Sequence, residues 1–191
     1  MGSNEVFVNM LDSVFKMPPV FDESYYGEVI HEIREMQVMN MGQYAHGNQP
    51  IQHMLYLYNY AGQPWKTQRR IREIMDMWFD DRPIGIPGDE DGGGLCSWYV
   101  FSAMGFFPVT PGSGIYAIGS PFFNSITIQL PNGKTFQVLA ESCSKKFKYI
   151  KSAKLNGRVL DTPFITHQNI MEGGRLHLVM SDKPNKEWGV K

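Results

Sequence analysis

Hydrophobic positions recur with the spacing of a helix along the first hundred residues and with the spacing of a strand along the rest. Phe7, Met10, Leu11 and Val14 stand at i, i+3, i+4 and i+7, one face of an amphipathic helix that Pro18-Pro19 stops. The same period predicts a second helix over residues 25–37, with Val29, Ile30, Ile33 and Met36 inward. A third, over 50–60, carries Pro50 in its first turn, presents Ile51, Met54, Leu55 and Tyr58 on one side, and ends near Gly62. A fourth opens at Pro64. Its apolar stripe is Ile71, Ile74, Met75, Trp78 and Phe79, and Arg69, Arg70, Arg72 and Glu73 are predicted to face water. "GLCSWYVFSAMGF" is apolar all round and predicts a fifth helix buried among the others.

After Pro108 the period falls to two. In "SITIQL" Ile126, Ile128 and Leu130 alternate with polar residues, "PNGK" turns the chain, and "TFQVL" returns it. Asn132-Gly133 in that turn predicts a type I′ hairpin, and Asn156-Gly157 predicts another. With "GIYAI" and "RLHLVM" there are six or seven strands. The fold expected is α+β: a helical half over 1–107, then an antiparallel β-sheet or sandwich region over 108–191 packed on it.

Composition narrows the partners. The 18 basic and 19 acidic residues leave almost no net charge, and no Lys/Arg block tracks a phosphate backbone, so nucleic acid is excluded as the expected partner in favour of a neutral polar ligand. No apolar run approaches the roughly 20 residues that span a bilayer, and the start lacks the pattern of a signal peptide. Cys96 and Cys143 could pair or stay free, and neither has the neighbours of a zinc site.

The chemistry concentrates in "GIPGDEDGGG", residues 85–94, where Asp89-Glu90-Asp91 lies between glycine-rich stretches. An EF-hand reading fails, because positions 5 and 12 counted from Asp89 are Gly93 and Val100. A phosphate cradle fails too, since no Gly-Lys-Ser/Thr follows and the carboxylates would repel the ligand. Two readings remain. The acidic residues could favour the N-terminal end of the fifth helix through its dipole, worth roughly 0.3–1 kcal/mol. They could instead supply a general base for glycoside hydrolysis, where inversion needs a second carboxyl about 6.5–9.5 Å away. Glycines let backbone approach a substrate closely.

A second loop, "GQYAHGNQPIQH", places Asn48 and Gln49 just before the third helix. Their amides could ligate a hard cation or bond sugar hydroxyls, and Asn48 could equally be a helix cap. His46 and His53 are a weak metal signal, and Trp65, Tyr58, Tyr60 and Trp98 offer faces on which a sugar could stack, or belong to the core.

"GNQPIQHMLYLYNYAGQPWKTQ" (47–68), "GDEDGGG" (88–94), "SWYVFSAMGFFPVTPGSGIYAIGSP" (97–121) and "SDKPNKEWG" (181–189) together closely resemble the C-terminal part of glycoside hydrolase family 92. These are bacterial exo-acting α-mannosidases, chiefly α-1,2, that require calcium and invert configuration. The resemblance implies that Asp91 is the general base with Asp89 assisting. It implies that Asn48 and Gln49 lie beside calcium and mannose, and that Trp65, Lys66 and Glu90 contact substrate. It implies a mannose-containing glycan as substrate, and a periplasmic or extracellular location for the parent protein.

Members of this family run to several hundred residues, with an N-terminal β-sandwich and a complete (α/α)6 barrel, of whose twelve helices this chain would supply about five. The family's general-acid glutamate has no counterpart among Glu5, Glu23, Glu28, Glu32 or Glu35. Relatives carry Glu where Gln49 stands and Gln where Gly94 stands. The expectation is a chain inactive alone, completed by the remainder of its parent, with exposed barrel faces that favour self-association. The alternative is a non-catalytic carbohydrate-binding or assembly module using the β-rich half.

Overall fold

The computed structural model describes residues 2–190. Helix α1 (Asn4–Val14) is capped by the Ser3 hydroxyl, which accepts from the Val6 amide. Helix α2 (His31–Met39) begins later than its hydrophobic spacing predicts. The Ser24 amide donates to the Asp22 carboxylate in a local turn, and Gly27 takes a positive φ of 69°, so the chain cannot coil until Ile30. Residues Gln49–Tyr56 wind as a tight 3-10 helix and relax into α3 (Leu57–Tyr60), where a single α-helix was expected. Helix α4 (Pro64–Trp78) follows, then the acidic loop, then α5 (Gly94–Met104).

Two expectations about these helices change. Arg72 does not face water: it is 2% exposed, donates from Nη1 to the Pro121 carbonyl at 2.8 Å, and lies 4.8 Å from the Phe122 ring. Helix α5 is not enclosed on all sides either. Leu95, Trp98, Ser102 and Ala103 are buried, but Val100 is 54% exposed.

Eight strands follow: β1 (Phe106–Phe107), β2 (Ile115–Ile118), β3 (Ser125–Gln129), β4 (Thr135–Glu141), β5 (Tyr149–Leu155), β6 (Arg158–Val159), β7 (Phe164–Thr166) and, after a short helix α6 (His167–Met171), β8 (Gly174–Ser181). They form an antiparallel sheet β1-β2-β7 and a second sheet β3-β4-β8-β5-β6. The second sheet is mixed: β4 and β8 run parallel, because the chain crosses over between them through β5, β6, β7 and α6. Alternation places Phe136, Val138 and Ala140 of β4 beside Leu176, Leu178 and Met180 of β8 in one core.

The two Asn-Gly turns differ. Asn156 and Gly157 both have positive φ, 51° and 81°, as type I′ requires. At Asn132-Gly133 only the glycine does, at 79°; the Gly133 amide donates to Leu130 and the Leu130 amide to Lys134, a three-residue loop with a glycine bulge. The β-region packs on the helices through buried polar links. Asn59 Nδ2 donates to the Ile118 and Pro163 carbonyls at 2.8 and 3.3 Å, and Gln68 Oε1 accepts from the Ile150 amide at 3.0 Å. Both cysteines are free, Cys96 exposed and Cys143 buried. Among the described residues no helix is long and apolar enough to cross a membrane.

Candidate active site

The acidic loop owes its path to backbone that few side chains tolerate. Gly88 sits at φ +109°, and a Cβ there would come 2.8 Å from the Gly47 Cα. Asp91 itself has φ +51°, a left-handed conformation, and Gly92 and Gly93 continue at 64° and 97°. This coil turns Glu90 back on helix α5: its Oε1 accepts from the Cys96 amide at 3.1 Å and its Oε2 from the Gly93 amide. These amides, Cys96 first, hold the Glu90 carboxyl below the usual range. With both oxygens engaged, Glu90 serves the helix start and leaves Asp89 and Asp91 to face outward. The expectation that Glu90 contacts substrate therefore meets a side chain already occupied by its own helix.

The Asn48 loop meets the acidic loop directly. Gln49 Nε2 donates to the Asp89 carbonyl at 2.8 Å, joining positions 40 residues apart. Asn48 occupies the cap position of the 3-10 helix, yet its side chain makes no capping bond. Gly94 also touches this contact, since a Cβ there would stand 3.0 Å from Gln49 Cγ. Positions 49 and 94 thus pack against each other.

Between the loops lies a small polar cavity of about 60 Å³, walled by Asn48, Gln49, Asp89 and Asp91 together with His31, Glu32 and Glu35 of helix α2. Liquid water takes about 30 Å³ per molecule, so the space suits an ion or one or two waters, whereas ligand pockets run to several hundred Å³. No Lys or Arg lines it. His31 lies 3.3 Å from Glu32. Partial burial pushes the Glu35 carboxyl above its ordinary range; His31 opposes that rise, and Asp89, Glu32 and Asp91 add to it.

His31, Glu32 and Glu35 are the wall that sequence reasoning did not assign to the site. Their i, i+1, i+4 spacing puts them on one side of α2, a signal that hydrophobic patterning ignores. Trp65 and Lys66 are not brought to this cavity. Lys66 Nζ pairs with Asp12 of α1 at 2.5 Å and lies 5.7 Å from the Tyr58 ring, while Trp65 is half-buried in the first turn of α4. Asp12 feels burial as a rise, and the Lys66 and Tyr58 hydrogen bonds outweigh it. Of the other aromatics, Tyr58 and Trp98 are core, and Tyr60 is half-exposed beside Phe164. His46 is buried against Trp98, Phe79 and Tyr44, and His53 lies on the 3-10 helix.

The oxygen-rich donors fit a hard cation: carboxylates, amide oxygens and backbone carbonyls, on two loops held together by close glycine contacts. Among the described residues no three His, Cys, Asp or Glu side chains are grouped tightly enough to hold a metal unaided. A cation here would therefore draw on backbone and amide oxygens and on the ligand as well.

The Glycosyl hydrolase family 92 catalytic domain matches residues 1–182. Among solved structures, the family GH92 α-mannosidase BT3965 from Bacteroides thetaiotaomicron, in complex with mannoimidazole, superposes with a TM-score of 0.87 at 37% identity, over 98% of this chain and 24% of that one. The family GH92 inverting mannosidase BT2199 from the same organism gives a TM-score of 0.84 at 49% identity, over 100% of this chain and 26% of that one. An uncharacterized secreted glycosidase of Arthroderma benhamiae is 36% identical over 147 residues, 75% of this chain and 19% of that protein. The chain spans about a quarter of the length of these mannosidase structures. On the match over residues 1–182, the chain belongs to glycosyl hydrolase family 92.

Proposed function

We propose that the chain is the part of an inverting, calcium-dependent α-mannosidase that carries the general-base aspartates, with α-1,2-linked terminal mannose of glycans as substrate. One observation carries the reading: two loops 40 residues apart, tied by Gln49 Nε2 to the Asp89 carbonyl, turn Asp89, Asp91, Asn48 and Gln49 to a common cavity. Residues 1–107 are then its share of an (α/α)6 barrel and residues 108–191 the β-rich region behind it. An extracellular or periplasmic location follows from the same reading, in line with the relative named as secreted.

In this mechanism Asp91 takes a proton from water as the water attacks the anomeric carbon, and Asp89 orients that water. The displaced glycosidic oxygen takes its proton from a carboxylic acid supplied outside these residues, so configuration inverts. Asp91 must stay ionised to act. Turning Glu90 onto the α5 amides leaves one fewer free carboxylate beside it. Asn48 and Gln49 would hold calcium and the sugar hydroxyls through their amide and carbonyl oxygens. Bound calcium would supply Lewis-acid polarisation of the sugar's vicinal hydroxyls.

Asp91→Asn in the full-length parent is expected to lower kcat on the order of 10³-fold, the range of a lost general base, with an unchanged melting curve. Near-normal turnover would remove Asp91 from the role. The 191-residue chain by itself is expected to give no turnover of an aryl α-mannoside with calcium present, and turnover above background would overturn that. Mannose binding that survives loss of both Asp89 and Asp91 and needs no calcium would favour the binding-module alternative.

A further inference from the structure

We propose that Glu35 belongs to the cation site: its carboxylate, reaching across from helix α2, holds calcium together with oxygens of the Asn48-Gln49 and Asp89–Asp91 loops. This rests on the calcium reading above and adds a residue to it.

The position of the side chain is the first argument. A Cβ built on Gly47 would collide with the Pro87 carbonyl oxygen and with Glu35 Oε2, and one on Gly88 would stand 2.8 Å from the Gly47 Cα and 3.0 Å from each Glu35 carboxylate oxygen. Any residue but glycine at either point would occupy the place the carboxylate now fills. The two loops thus close on each other at glycines, and the Glu35 carboxylate of a third element enters at the same spot. Gly88 pays for this with a φ of +109°.

Charge supplies the second argument. Glu35 accepts no hydrogen bond among the described residues, and what acts on it is burial and the charges of His31, Asp89, Glu32 and Asp91. Four carboxylates share the cavity wall with a single histidine. Glu35, half-buried and without a donor to its own oxygens, sits beside three other carboxylates, an unfavourable arrangement that a cation would complete. Gln49 is neutral and its Nε2 is committed to the Asp89 carbonyl, so the loop that carries it brings no formal charge of its own. Glu35 brings one from helix α2.

The test is isothermal titration of the full-length parent with calcium chloride alone, after chelator treatment. Glu35→Gln should weaken calcium binding about tenfold or more. Glu35→Asp, which keeps the charge on a shorter stem, should weaken it less, and Glu172→Gln, at the C-terminal cap of remote helix α6, should not change it. In EDTA, Glu35→Gln should melt no lower than the wild type, since it removes a charge repelled by three carboxylates, whereas loss of a purely structural glutamate would lower the melting curve and leave calcium affinity alone. Unchanged calcium affinity in Glu35→Gln, with the wild type binding, overturns the Glu35 assignment and leaves the calcium reading standing. The same holds if Glu35→Gln abolishes turnover at unchanged affinity, which would make it a proton donor. A wild type that binds no calcium ends both.

Discussion

His46 shows how strongly one buried residue can tie stability to pH. It is 0% exposed, with Tyr44 Oη 2.8 Å from its Nδ1 and the Trp98 ring centroid 4.1 Å away, and burial pushes its imidazole down to about 3. The unfolded chain binds a proton below about 6.5, and the native one refuses it until near 3. Stability contributed by the neutral ring is therefore complete above pH 6.5 and is lost progressively as pH falls to 3. At pH 5 the loss is about 2 kcal/mol. Urea unfolding at pH 7 and pH 5 should show that difference in the wild type and a smaller one in His46→Gln. Equal pH dependence in both would assign the effect elsewhere. Gly88→Ala tests the loop at the same scale. It forces a Cβ to 2.8 Å from Gly47 Cα at φ +109°, so a cost of about 1–3 kcal/mol and impaired turnover in the parent are expected.

Helix α5 and the acidic loop act as one element. The sequence offered two readings of Asp89-Glu90-Asp91, helix support and catalysis, and the structure separates the three side chains. Glu90 takes the helix role, bonding the Gly93 and Cys96 amides, while Asp89 and Asp91 line the cavity. Glu90→Ala should lower the melting temperature of the parent by about a degree, and Asp89→Asn should not; thermal scans of the two variants decide it. The division was illegible beforehand because three adjacent carboxylates look alike in sequence. The left-handed φ of Asp91 separates their directions, and an aspartate does not announce that conformation.

Over the whole molecule, the helical and β-rich parts are joined by a few buried polar residues. Asn59 holds the Ile118 and Pro163 carbonyls, and Arg72 holds Pro121. Asn59→Ala should cost about 1–3 kcal/mol, since it takes a buried donor from the Ile118 carbonyl, while Pro163 keeps the Ile118 amide. Denaturant unfolding of the parent would measure it, and a change below about 0.5 kcal/mol would mean the contact is dispensable. Arg72 is a lesson at this scale. It occupies the polar side of the α4 pattern, and it is buried only because the β-rich part covers that side.

What the sequence determined by itself was local: helical spacing up to α5, strand alternation after Pro108, the turn residues, and motifs specific enough to name a family. Those features depend on neighbours a few residues apart, which any single stretch displays. The tertiary structure decided which charges share a space. It brought Glu35 to the acidic loop, sent Lys66 to Asp12, closed Arg72 under the sheet and made β4 and β8 parallel. Each of these joins positions far apart in the chain, and side-chain charge carries no period that would reveal such a meeting in advance.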